Sequence, residues 1–204
     1  MPKITKIEPQ KRKGRFNIYL DDKFFTGISE DVIVGLGLQE GLEIDLKQIK
    51  KFQKREEETR VYTSALRFLS FRLRSEKEMI IKLSKKFPKV LVDKTIKRLK
   101  KEKLLNDEEF ARAWVRDRMV LRSSGRRLIF QELILKGVSK ELIKEIIEKE
   151  YNQDRELELA KKIAKGKFKT YKNLPRREYY QKMVGFLARH GYSWETIKKV
   201  LEGQ

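Results

Sequence analysis

One passage of this chain occurs twice, and that repetition limits the fold more than any other feature. Leu133, Lys136, Gly137, Val138 and Ser139 return at the same spacing as Leu187, His190, Gly191, Tyr192 and Ser193. An apolar residue precedes each leucine by one helical turn, Ile129 or Met183, and another follows later, Ile143 or Ile197. A fainter third copy lies upstream, at Met79, Leu83, Phe87, Leu91 and Ile96. Self-similarity at a period of roughly 50 residues marks a helical array, whose units bury their apolar faces against one another. Such arrays bind long partners along an extended face. Function is therefore to be sought on a surface and not in a closed pocket.

Charge points the same way. The chain carries 50 Lys and Arg against 30 Asp and Glu, a formal net charge of +20 over 204 residues. Acids nearly balance bases up to Arg60, and most of the excess lies from Val61 onward, in the repeats. A polyanionic partner follows from that imbalance. There is no Cys, which excludes disulfides, thiolate nucleophiles and the usual zinc sites. No apolar run approaches the ~20 residues of a membrane-spanning helix, and the residues after Met1 lack the apolar core of a signal peptide. A cytosolic location is expected, with no membrane contact.

The first part of the chain reads as a small α+β unit. Phe16 to Leu20 alternates apolar and polar residues, Asp21 and Asp22 form a tight turn, and Lys23 to Ile28 runs back as a hairpin. Ile4 and Ile7 suggest a preceding strand. Ser29 caps a short helix through Val32 and Leu36, stopped by Gly35 and Gly37, and Leu42, Ile44 and Leu46 alternate again. The stretch Ile49 to Arg60 is dense in opposite charges at helical spacing and reads as a helical linker.

From Val61 the pattern is helical. Ala65, Phe68, Leu69, Phe71 and Leu73 mark a first helix; Ser75 and Glu78 form a capping box for a second; Pro88 breaks it before a third. The next repeat opens with another capping box, Asn106 to Glu109, continues through Phe110 and Trp114, turns at Ser123 to Gly125, and resumes at Leu128. Gly137 and Gly191 end the second helix of their repeats in the left-handed conformation, and Ser139 and Ser193 cap the third. Lys165 to Pro175 is the longest basic connector. The expected divisions are 1–48, a linker at 49–60, and repeats at 61–105, 106–152 and 153–204. The fold class is mainly α: a tandem array of three three-helix repeats preceded by a small N-terminal α+β domain built on a β-hairpin.

Catalytic chemistry finds little support. His190 is the single histidine, and it occupies the place of Lys136 in the sister repeat. A basic residue in the last helical turn is favoured by the helix dipole, and no second His or Cys stands ready to share a metal. Asp21 and Asp22 belong to a turn, and Asp107, Glu108 and Glu109 to a helix start, so both clusters have structural explanations. No phosphate-binding glycine loop follows a strand. No cofactor and no metal are expected.

The arginines are the stronger signal. Arg67, Arg72 and Arg74 lie at the first helix and its exit. Helical geometry sets Arg112, Arg116 and Arg122 away from the Trp114 side, with Arg118 toward the other edge of the apolar stripe. Arg126 and Arg127 follow the Gly125 turn, where side chains reach outward. Arg binds phosphate or carboxylate in bidentate fashion, so these residues suit DNA or an acidic protein surface. Pairing with nearby Glu or Asp is the competing explanation for each. Trp114 and Phe68 read as core; Tyr62, Tyr171 and Trp194 are less clearly buried.

At this point the chain resembles the RecX family, bacterial regulators of the RecA recombinase. The resemblance runs from Ala65 to Leu201. It rests on Arg72, Arg74, Ser75 and Glu78; on Asn106, Asp107, Glu108, Phe110 and Ala111 with Trp114; on Gly125 and Arg126; and on Leu133, Lys136 and Gly137, in that order. The hairpin around Asn17 to Asp21 looks like the extra domain of longer relatives. In the third repeat Lys136 gives way to His190. The resemblance implies a non-enzymatic, monomeric modulator that binds RecA filaments on single-stranded DNA. It would lie along the filament groove and lower ATP hydrolysis, strand exchange and coprotease activity in recombination and the SOS response. The contact candidates are Arg72, Arg74, Lys82, Arg116, Arg118, Arg126, Arg127 and Lys136. A general DNA-binding protein acting without RecA is the alternative, and a metal-dependent nuclease using Asp107, Glu108 and Asp21 is a more distant one.

Overall fold

The computed structural model describes residues 1–44 and 46–202. Three strands, β1 (Ile4–Pro9), β2 (Arg15–Leu20) and β3 (Lys23–Ser29), open the chain and are followed by α1 (Glu30–Leu36). Among the described residues nine further helices follow: α2 (Leu46–Leu69), α3 (Glu76–Ser84), α4 (Lys89–Lys101), α5 (Asp107–Arg122), α6 (Arg126–Leu135), α7 (Lys140–Glu150), α8 (Gln153–Tyr171), α9 (Arg176–Arg189) and α10 (Trp194–Glu202). Helices thus come in threes, α2–α4, α5–α7 and α8–α10, after a three-stranded antiparallel sheet in the order β1-β2-β3. The chain divides into two compact units, Met1–Phe68 with Leu83–Thr95, and Leu69–Lys82 with Ile96–Gln204. Among the described residues no helix is long and apolar enough to cross a membrane.

In the first unit, Asp21 and Asp22 both take positive φ, 46° and 62°, the backbone that a two-residue hairpin turn demands. Asp21 accepts the Lys3 amide at 3.0 Å, and the Asp22 amide donates to the Thr5 hydroxyl at 2.9 Å. The turn thereby engages Asp21 through its carboxylate and Asp22 through its backbone amide. Ile4, Ile18, Ile28, Val32, Leu38, Ile44 and Phe52 form the core. Ser29 precedes α1 in extended conformation, but its hydroxyl caps nothing and has no hydrogen-bond partner. Its amide instead donates to the buried Glu56 carboxylate at 2.7 Å, and the Glu30 amide donates to the Gly14 carbonyl at 3.1 Å. Leu42 and Ile44 make no strand: a single bridge joins Lys3 to Glu43, Asp45 lies outside the described residues, and α2 begins at Leu46.

The stretch 49–60, expected as a helix or helical linker, is helical and continues without a break into the helix from Val61, because charged residues at helical spacing continue the helix as well as apolar ones do. Phe71 and Leu73 lie beyond its end and are 72% and 43% exposed.

The second unit holds α5–α10 around one core that includes Phe110, Val115, Ile129, Leu133, Ile143, Ile146, Met183, Leu187, Ile197 and Val200. The stripes read from the sequence are these residues. Trp114 packs against that core half-buried. Phe68, in the other unit, is likewise half-buried and not fully enclosed. The connector expected from Lys165 is helical as far as Tyr171, since α8 continues through it.

The repeats meet at their second helices. Gly191 has φ 85°, and a Cβ placed on it would stand 2.4 Å from the backbone nitrogen and Cβ of Leu128, at the start of α6. Gly137 has φ 89°, and its Cβ would stand 2.5 Å from the Cβ of Lys77, at the start of α3. Each glycine therefore ends its own helix and lets the preceding repeat's helix touch bare backbone. Polar bonds accompany both contacts. Gly125 and Arg127 donate to the carbonyls of His190 and Gly191 at 2.7 and 3.1 Å. The Ser75 hydroxyl donates to the Lys136 carbonyl at 2.7 Å. A carboxylate from the following repeat takes the first free amide each time: Asp107 accepts from Glu76 at 2.7 Å, and Glu156 from Arg126 at 3.3 Å. Burial pushes both carboxyls above their ordinary pKa, against the opposing pull of those amides. Asn106 caps α5 by accepting from Glu108 at 2.9 Å.

Candidate functional site

Two helical i,i+4 pairs face each other across α5 and α6. Trp114 and Arg118 lie one turn apart on α5, and Glu132 and Lys136 one turn apart at the end of α6. The indole N–H of Trp114 donates to Glu132 Oε2 at 2.7 Å, and Arg118 Nε donates to the same oxygen at 2.6 Å. The Arg118 guanidinium lies 4.0 Å from the indole centroid and the Lys136 ammonium 5.0 Å from it. An indole face attracts cations, so Trp114 is a platform that holds two positive charges side by side.

The cluster continues through α3. Lys136 Nζ donates to Glu78 Oε1, and Arg72 donates to both oxygens of Glu78 at 2.9 and 3.2 Å. Partial burial works against ionisation of Glu78, but the bonds from Arg72 and Lys136 outweigh it and hold its carboxyl below the usual range. Glu78 therefore does not return to the Ser75 amide, as a full capping box would have it; only the Ser75 oxygen acts as cap, accepting from the Glu78 amide at 3.2 Å. A shallow cavity of about 460 Å³ opens beside these groups, lined by Lys77, Glu78, Ile81, Trp114, Arg118, Glu132, Leu135 and Lys136. Ile81 and Leu135 stand 53% and 74% exposed at its edge. Cations over an aromatic face with an apolar border can receive carboxylate or phosphate.

The structure thus brings Arg72, Arg118 and Lys136 together. The other candidates lie elsewhere. Arg116 shares Glu150 with Arg112, at 2.9 and 2.8 Å, on the side of α5 that meets α7. Bonds from Arg116, then Arg112, hold the Glu150 carboxyl low. Arg126, half-buried, and Arg127, exposed, line a cavity of about 540 Å³ floored by Phe130, Ile147 and Leu157. Arg74 is half-buried and Lys82 exposed, and neither lines the Trp114 cavity. Among the described residues, ion pairs join Arg72 and Lys136 to Glu78, Arg116 to Glu150 and Arg118 to Glu132. Glu132 belongs to the passage that carries the resemblance but is not among the contact candidates, and Glu150 was not singled out. The spacing of Glu132 to Lys136 was a visible signal, whereas Glu150 meets Arg116 only through packing.

Of the remaining chemistry, Asp107 is spent on the α3 amide and Glu108 bonds Arg112 at 2.8 Å. His190 Nδ1 lies 2.9 Å from the Phe186 carbonyl, and its ring 4.4 Å from that of Phe186. Among the described residues no three His, Asp or Glu side chains are grouped to hold a metal ion.

Comparison with known proteins gives a consistent result along the chain. The RecX N-terminal domain matches residues 2–45, and the first, second and third three-helix domains of RecX match residues 62–99, 106–147 and 153–201. The regulatory protein RecX of Bacillus subtilis (strain 168) is 37% identical over 99% of this chain and 77% of its own length. That of Clostridioides difficile (strain 630) is 35% identical over 97% of this chain and 93% of its own. A crystal structure of a regulatory protein RecX superposes with a TM-score of 0.79 at 32% identity, covering 99% of this chain and all of that one. Four domain matches in order, and relatives of this similarity over nearly the whole length, show that the chain belongs to the RecX family of regulatory proteins.

Proposed function

We propose that this protein regulates RecA: it binds RecA filaments on single-stranded DNA and lowers their ATPase, strand-exchange and coprotease activities. Membership of the RecX family over nearly the full chain is the observation that carries this reading. Arg72, Arg74, Lys82, Arg116, Arg118, Arg126, Arg127 and Lys136 are the proposed contacts. The paired state of four of them is compatible with that role. Among the described residues Arg118 spends only Nε on Glu132, which leaves its terminal nitrogens for an outside carboxylate. No catalysis is required, since a protein that prefers one filament state shifts the equilibrium by binding. Asp107 and Glu108 are engaged in helix and ion-pair contacts, which favours the regulatory reading over a metal-dependent nuclease.

The deciding experiment is the single-stranded-DNA-dependent ATPase of the cognate RecA, titrated with this protein below one per RecA subunit. Inhibition at such ratios is the expected result. If inhibition appears only once the protein coats the DNA, competition for phosphates replaces filament regulation.

A further inference from the structure

The chain's positive charge is not all committed to ion pairs, and part of what is left runs along one face of α8. From Leu159 to Arg177 there is no Asp or Glu. Within this stretch Lys161, Lys162, Lys165, Lys169 and Lys172 are all exposed. At 100° per residue they fall within an arc of about 100°. The buried residues of α8, Glu156, Leu159, Ala160 and Ala164, lie on its other side. Lys172, just past the end of α8, keeps right-handed helical dihedrals and so stays on the same face. Among the described residues none of the five makes an ion pair. Arg176 and Arg177 follow in the first turn of α9 and are exposed as well.

Two physical points separate this strip from an ordinary solvated surface. Elsewhere the helices set lysines one turn from glutamates, as in Lys149–Glu145, Lys182–Glu178 and Lys198–Glu202. Here Lys161, Lys165 and Lys169 follow one another at i,i+4, where like charges repel. Two arginines at the start of α9 also oppose the helix dipole. The strip therefore works against the stability of its own helices and gains from neutralisation by a partner. Its residues are mostly lysines, compact charges that serve phosphates without a fixed fork geometry, and each step from Lys161 to Lys165 to Lys169 climbs roughly 6 Å along the axis. No large apolar side chain lies within the arc to anchor a protein partner.

We propose that the α8 lysine strip is a direct binding surface for the phosphate backbone of single-stranded DNA, separate from the Trp114 cluster. This goes beyond the regulatory reading, because it holds with no recombinase present, and either can fail without the other. The test is binding of fluorescein-labelled oligo(dT) to the full chain, followed by anisotropy over a salt series. Each lost phosphate contact reduces the slope of log K against log salt by about 0.7 on single strands. The variant Lys165→Gln, Lys169→Gln, Lys172→Gln is expected to reduce it by about 2. A control of equal charge change, Lys149→Gln, Lys182→Gln, Lys198→Gln, is expected to leave it in place. Circular dichroism of both variants checks the fold. An unchanged slope in the strip variant, or an equal fall in both variants, overturns the proposal. So does a strip variant that binds DNA normally yet no longer inhibits RecA ATPase, which would assign the strip to an acidic protein face.

Discussion

The backbone N–H of Gly125 donates to the carbonyl oxygen of His190 at 2.7 Å. The same joint occurs one repeat earlier, where the Ser75 hydroxyl donates to the Lys136 carbonyl at 2.7 Å. Lys136 and His190 are equivalent in the repeated passage, and it is their carbonyls, not their side chains, that play the same part. This explains how a lysine can become a histidine between repeats while the glycine after it stays.

Gly191→Ala and Gly137→Ala are each expected to destabilise the protein by more than about 2 kcal/mol, because positive φ alone costs ~1–2 kcal/mol and the new Cβ meets a neighbouring helix. Gly166→Ala is the contrasting case. Gly166 lies inside α8, and nothing stands within 4 Å of its would-be Cβ. Alanine there is expected to stabilise by about 0.5–1 kcal/mol. Thermal melts of the three variants check both signs.

Glu156→Gln is expected to stabilise the protein increasingly as pH rises. Burial, only partly offset by the Arg126 amide, raises the Glu156 carboxyl above its ordinary value. The folded state therefore holds its proton to higher pH than the unfolded state, and stability falls as pH climbs through the folded value. Glutamine can accept the same amide without ionising. Melts at acidic and neutral pH should show the variant gaining only at the upper end.

Glu78→Gln is expected to act in the opposite direction. The Glu78 carboxyl is held low despite partial burial, by Arg72 and Lys136. Its contribution is present above the ordinary carboxylate range and is lost as pH falls through the folded value. The variant should lose roughly 1–2 kcal/mol at neutral pH and match the parent in strong acid. It also releases two cations, so binding to an anionic partner should tighten, as titration calorimetry would show.

Tyr151→Phe and Tyr192→Phe each remove a buried hydroxyl. Tyr151 donates to the Ser124 carbonyl at 2.9 Å, and Tyr192 to that of Ser123, so two tyrosines fasten the turn between α5 and α6. Each loss is expected to cost about 1–3 kcal/mol, since the partner carbonyl is left buried. Chemical denaturation measures it.

What the amino-acid sequence determined by itself is what depends on neighbours along the chain. The hairpin at Asp21 and Asp22, the helix stripes through Ile129 and Leu133, the cap at Asn106 and the left-handed glycines follow from periodicity and local backbone chemistry acting over a few residues. The basic nature of the surface was equally legible, because charge counts need no geometry. Tertiary structure decided which cations are spent and which are left over. Glu78 leaves its local cap for Arg72 and Lys136, Glu150 reaches Arg112 and Arg116 across two helices, and Asp107 and Glu156 serve amides of the preceding repeat. These partners lie up to 58 residues apart. Local propensity cannot select among many acids at such separations. Only the packing of apolar faces, which fixes where each helix lies, brings one particular carboxylate within reach and, among the described residues, leaves the lysines of α8 without an ion pair.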